Sequence, residues 1–302
     1  MSSNLQLKRD AEGNYLIDNA DDLFNFADYV NGGGKTSDKT FTLTNDIDIS
    51  GKWEPVGQEE KLFDGTFDGN NHTISNIIVT VTDDNKAGFF GFIDKNASIK
   101  NLKLNNVNVS GCDDVGGLVG NACGFPYARD GKPIINCTVT GSVSGNECVG
   151  GLVGDNSCHP ILNCNVNVTV SGKELVGGLV GLNRENISDC KVDGSVSGDI
   201  HVGGLTGYNG IGCNKNITVA ASVIGKRWVG GIAGVCGDSG DVYFCTFTGS
   251  VSGEKFVGGI IGANDGHGHS CTVTGSVTGE EKVGTFVGFN DEGTFKTEES
   301  SG

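Results

Sequence analysis

The 302-residue chain carries 21 Lys and Arg against 37 Asp and Glu, a formal net charge of −16 at pH 7. That balance argues against nucleic acid and anionic membrane surfaces as partners, because phosphate binding needs a basic patch. Glycine makes up 51 of the 302 residues, far above the usual ~7%, but it follows no three-residue period, which excludes collagen. No stretch approaches the ~18 consecutive apolar residues of a membrane span, so no membrane insertion is expected of this segment. Met1 to Asn14 contains no apolar signal-peptide core. Either the protein is cytosolic or the chain is a mature or excised segment of a larger secreted one; the second is the favoured reading.

The first predicted element is a short amphipathic helix over residues 19–31. Asn19 stands at the N-cap, Asp21 and Asp22 lie in the first turn, and Leu23, Phe26, Ala27 and Val30 repeat at helical spacing. Such a helix suits the open end of a solenoid, where a cap is needed. We take residues 1–85 as an N-terminal cap with this helix and the first coils, residues 86–290 as repeats, and residues 291–302 as a disordered tail.

From residue 115 a six-residue phrase recurs. It first appears as Val115-Gly116-Gly117-Leu118-Val119-Gly120 and returns from Val149, Val176, Val202, Val229, Val257 and Val283. Self-similarity at about 27 residues is the signature of a solenoid. Twelve residues before most copies stands a cysteine: Cys137, Cys164, Cys190, Cys245 and Cys271, with Ile217 in the same place before Val229. A site that accepts Cys and Ile is read as buried and apolar, since free Cys behaves as a small hydrophobe. After it the chain alternates with period two, as in Cys137-Thr138-Val139-Thr140-Gly141-Ser142-Val143, which marks a half-buried strand. The Gly phrase is expected to supply a second strand.

Helical periodicity is absent from the repeats, and 27 residues trace a path of roughly 80 Å, enough for one coil of two or three short strands. The expected fold is all-β: a right-handed parallel β-helix, its hand following the usual parallel crossover. Two residues beyond each phrase stand Asn156, Asn183, Asn209, Asn264 and Asn290, interrupted by Cys236. These are expected to form a corner ladder, because Asn tolerates left-handed backbone and stacked amides bond to one another.

With both halves laid out, the Gly-Gly-Leu-Val-Gly phrases resemble the GLUG motif of bacterial surface proteins, which include adhesins and non-catalytic parts of IgA-cleaving metallopeptidases. The run from Leu43 to Ile74 resembles the segment that often precedes those repeats. It contains Asn45-Asp46-Ile47-Asp48, Trp53-Glu54-Pro55-Val56-Gly57 and Phe63-Asp64-Gly65-Thr66-Phe67-Asp68-Gly69. The resemblance implies a β-helix displayed extracellularly at a cell surface, with no catalytic site, no metal and no cofactor. The His-Glu-x-x-His zinc motif of those peptidases does not occur here.

Several residues invite sharper readings. His267-Gly268-His269 is a pair short of a ligand set and suits a corner loop. Asp46, Asp48, Asp64 and Asp68 could serve a glycosidase or hold Ca²⁺, but their Gly and Asn neighbours favour turn formation. Cys123, Cys158, Cys213 and Cys236 fall in loops where a cross-coil disulfide is conceivable, although eleven cysteines cannot all pair within one chain. The outward strand positions form a face of Ser and Thr, for which ice binding is weighed and ranked below a plain solvated face.

The leading expectation is a non-enzymatic adhesin or spacer module that binds a host or neighbouring-cell glycan or protein through loops and flat faces. Its candidate ligand-facing residues are Phe125, Tyr127 and Arg129, in the insertion that lengthens one repeat to 34 residues, and the basic-aromatic corner Lys226, Arg227 and Trp228. The alternative is a structural subunit that self-associates end to end.

Overall fold

The computed structural model describes residues 5–83, 86–122 and 130–296. Apart from one helix, α1 (Ala20–Asn31), its regular elements are short strands in three parallel sheets of 11, 17 and 8 strands. This is the all-β parallel solenoid that the repeats predict. One coil serves as the pattern. Ile161–Leu162 lies in the 11-stranded sheet, Asn165–Ser171 and Glu174–Gly177 lie in the 17-stranded sheet, and Val180–Asn183 lies in the 8-stranded sheet. Each strand pairs in parallel with its counterpart in the coils before and after, as Val166 does with Val139 and Val192.

The Gly phrase is not one strand but two. Glu174–Gly177 ends, the chain bends at Gly178 and Leu179, and Val180–Asn183 continues in the 8-stranded sheet. The glycines permit this bend: a Cβ on Gly177 would sit 1.9 Å from the Val180 carbonyl oxygen, a distance no side chain tolerates.

The expected columns fill the interior. Val139, Val166, Val192, Val219 and Phe247 are each no more than 2% exposed, as are Val143, Val170, Val196, Val223 and Val251 in the next column. The cysteine column is apolar core as well: Cys137, Cys164, Cys190, Ile217 and Cys245 are buried. Each thiol donates to a nearby carbonyl, Cys164 Sγ to Leu162 O at 3.3 Å for example. Among the described residues no two cysteines form a disulfide, and Cys123 lies outside them.

The asparagine column forms a buried amide ladder. Asn156 Nδ2 donates to Asn183 Oδ1 at 3.0 Å, and Asn183 Nδ2 to Asn209 Oδ1 at 2.9 Å; beyond Cys236, Asn264 donates to Asn290 at 2.8 Å. Each amide also donates to a loop carbonyl, such as His159 O or Gly212 O. These residues end strands and are not the left-handed positions. Positive φ falls instead on the residue before the cysteine column, as at Asn136, Asn163 and Asn216, and on the residue before each Gly phrase, as at Leu175, His201 and Trp228.

At the N-terminal end α1 performs the expected capping. Asn19 Oδ1 accepts from Asp22 N at 3.1 Å, and Gly32 follows the last turn. Its buried Phe26 packs on Phe41, Phe63, Phe67 and Phe90 with ring centroids 4.6–6.5 Å apart, closing the phenylalanine-rich first coils. At the other end the chain stays ordered longer than expected. Residues Thr294–Lys296 form a strand on His267–His269, because Phe295 supplies an apolar anchor 5.5 Å from Phe286. Residues 297–302 lie outside the described residues.

Candidate functional site

Positive φ before every Gly phrase places one side chain per coil along the edge between the 17- and 8-stranded sheets, where Cys148 and Phe256 are buried and Leu175, His201 and Trp228 half-buried. Left-handed backbone is uncommon for residues other than Gly, Asn, Asp and His, yet beside His201 (φ 55°) this column holds Cys148 (52°), Leu175 (54°), Trp228 (55°) and Phe256 (59°). The surrounding ladder holds these conformations: Val176, Val202 and Val229, the next residues, are buried and paired in register.

Trp228 is the centre of this edge. Its ring stacks on His201 at 4.6 Å with 9° between planes and on Phe256 at 6.1 Å with 12°. The Arg227 guanidinium carbon lies 3.8 Å from the indole centroid, within cation–π range. Lys226 Nζ bonds Asp199 Oδ1 at 2.7 Å. At this corner Arg227 lies on the indole ring and Lys226 is turned to Asp199. The indole faces are taken up by the stack, which leaves its edge, not a face, for a sugar. Burial lowers the His201 pKa, with the Glu174 carboxylate, 3.5 Å from Nδ1, opposing and the Arg227 cation adding to the shift.

Other residues on this edge escaped the sequence reading. Lys282 Nζ lies 4.5 Å from the Phe289 ring centroid, Lys255 Nζ lies 5.0 Å from that of Phe256, and Phe256 and Phe289 are 5.2 Å apart. The signal was available, since His201, Phe256 and Lys282 share Trp228's place immediately before the Gly phrase. In the earlier coils the same edge is acidic. Glu147 is in register with Asp113 on one side and Glu174 on the other. Burial pushes its carboxyl pKa up, and the charges of Glu174, Asp113 and Asp114 push it further.

Phe125, Tyr127 and Arg129 lie outside the described residues. The base of their insertion is tied to the following coil, with Gly131 N donating to Cys158 O at 3.0 Å and His159 Nδ1 2.6 Å from Lys132 O. The four aspartates tie neighbouring coils together, where turn formation alone was expected. Asp64 accepts from Thr36 and Ser37 hydroxyls, and Asp68 accepts from Asn101 and pairs with Lys100 at 3.1 Å. Asp46 accepts from Thr73 N, and Asp48 from Ser50 and Asn76. His267 meets Thr294 Oγ1 at 2.9 Å, while His269 stacks on Tyr243 at 4.9 Å.

Residues 172–197, which form one coil, match the model of the GLUG motif. One coil of the solenoid thus carries the GLUG motif. The chain is 36% identical over 126 residues to a halomucin of Haloquadratum walsbyi, a match covering 38% of this chain and 1% of that protein. It is 34% identical over 179 residues to a provisionally named Gly-rich membrane protein of Evansella cellulosilytica, covering 48% of this chain and 20% of that one. The chain thus spans a fifth or less of the length of these relatives. A crystal structure of a provisionally named immunoglobulin A1 protease from Bacteroides ovatus superposes with a TM-score of 0.58 at 21% identity, covering 96% of this chain and 86% of the other. That likeness is one of fold. No helix among the described residues is long and apolar enough to cross a membrane.

Proposed function

We propose that this GLUG solenoid is a non-catalytic, extracellular surface module, an adhesin or spacer, that presents binding groups on a rigid β-helix. The observation that carries the reading is the division between a repeated interior and a varied edge. Core columns keep Val, Cys and Asn from coil to coil, whereas the edge before each Gly phrase changes from Glu147 to Arg227 and from Leu175 to Trp228. Repeats whose interiors agree and whose surfaces diverge build a scaffold, and loops and edges on it carry recognition. Two relatives named for a halomucin and a membrane protein support a place at the cell surface.

The proposed ligand is a glycan or protein of a host or neighbouring cell. It would be contacted by the insertion with Phe125, Tyr127 and Arg129 and by the corner of Lys226, Arg227 and Trp228. Glycan-array screening tests this: binding is expected to fall at least tenfold, roughly the effect of losing one buried aromatic anchor, in Tyr127→Ala or Arg227→Ala. Absence of any signal, or equal signal from wild type and both variants, overturns the ligand reading.

A second reading, end-to-end assembly, draws on the last coil. Val283 is 44% exposed, and Val277, Phe286 and Val287 are only half-buried. An open strand edge of this kind is a template for another chain. Light scattering against concentration checks it: growth beyond a dimer supports a filament, and a fixed mass removes it.

A further inference from the structure

The edge before the Gly phrases is polarised along the solenoid. In successive coils its in-register positions are Asp113, Glu147, Glu174, Ile200, Arg227, Lys255 and Glu281. Three acids precede an apolar residue, two bases follow it and a last acid ends the column, one per coil and so about 4.8 Å apart. We infer that this edge is a self-complementary interface through which two copies of the chain pair side by side and antiparallel. The inference does not depend on glycan binding.

The argument is one of symmetry. A two-fold axis perpendicular to the solenoid at the level of Ile200 turns one copy end for end and lays each column against the same column of its mate. Glu174 then faces the second copy's Arg227, Glu147 faces its Lys255, and Ile200 faces Ile200. Because both copies have the same coil spacing, every rung meets a rung; the four inner charged rungs are complementary, and only the outermost sets acid against acid, Asp113 opposite the second copy's Glu281, which Lys255 of its own chain binds at 2.7 Å. The neighbouring column agrees: Leu175 comes opposite the second copy's Trp228, and His201 meets His201. A closed two-fold contact of this kind is isologous, each pair occurring twice. Parallel pairing would set Glu147, Glu174 and Arg227 against themselves, and like charges across an interface are strongly disfavoured.

The charges within one chain leave room for such a partner. Arg227 lies over the Trp228 ring rather than on a carboxylate. Glu147 sits between two further acids, and their repulsion already raises its pKa; cations from a second copy would relieve it. Lys226, on the flank, is neutralised by Asp199 at 2.7 Å. Lys255 is partly engaged by Glu281 at 2.7 Å, so the Glu174–Arg227 pair is the more informative one to test.

Sedimentation velocity of the wild type, Arg227→Glu, Glu174→Arg and an equimolar mixture of the two variants decides the matter, with circular dichroism to verify folding. The wild type is expected to dimerise with concentration and to weaken in 1 M salt, where charges are screened beyond about 3 Å. Each variant alone faces like charge and should dimerise at least roughly tenfold more weakly. The mixture restores both Glu–Arg contacts and should recover the wild-type affinity. A strictly monomeric wild type, single variants that associate as the wild type does, or a mixture that stays as weak as its components would each overturn the proposal.

Discussion

At the scale of single residues, the asparagine ladder shows how one substitution propagates. Where Cys236 replaces Asn, the ladder breaks, and Asn264 Oδ1 is buried with no partner. Restoring the amide supplies a donor to an oxygen that now lacks one, so Cys236→Asn is expected to stabilise the fold by about 1 kcal/mol, measured by chemical denaturation. Glu147 gives a pH signature. Its folded pKa is raised by burial and by neighbouring acids, so the folded state holds the proton more tightly. Its contribution to stability therefore falls as pH rises from the unfolded value of about 4.3 through the higher folded one. Between pH 4 and 7 the wild-type melting temperature should gain less, or lose more, than that of Glu147→Gln; identical pH profiles would refute this. The columns of Cys and Asn were legible from spacing alone. The left-handed positions were not, because at Leu175, His201 and Trp228 the backbone conformation is imposed by the stack against the residue's own preference.

At the scale of elements, the Gly phrase is where a one-dimensional reading falls short. Alternation of Val and Gly looks like one strand, yet the chain bends at Gly178 and Leu179 and makes two, one in each of two sheets. Both sequences of events place Val176, Leu179 and Val180 in the core, so hydrophobic pattern cannot tell them apart; only the clearance around the glycines can. Gly177→Ala puts a methyl 1.9 Å from the Val180 oxygen. It is expected to cost at least about 1–3 kcal/mol, seen as a lowered urea midpoint, while Gly33→Ala beyond α1, with open space at its Cβ, should cost only the strain of a left-handed backbone. The helix was foreseeable to within one residue because its cap, first-turn acids and apolar spacing are all local.

At the scale of the whole molecule, the solenoid is a stack in which each coil touches mainly its neighbours. The 11-stranded sheet sets its length: ten steps of about 4.8 Å make roughly 48 Å from first strand to last. Removing one full coil, residues 172–197, joins two coils of matching register. The shortened chain should fold cooperatively and lose about 4.8 Å in length by small-angle scattering; an unfolded product would show that the coils are not interchangeable. Sequence alone determined the repeat, the inward columns, the amide ladder and the capping helix, since each depends on spacing along the chain and on which side chains leave water. It also marked Lys226, Arg227 and Trp228 as a corner worth attention. Only the tertiary structure decided that Trp228 is stacked from both sides, and that the acids of three earlier coils and the bases of two later ones line one edge. Those relations join residues about 27 apart, and their meaning arises from lateral register, which the backbone ladder sets and no single repeat contains.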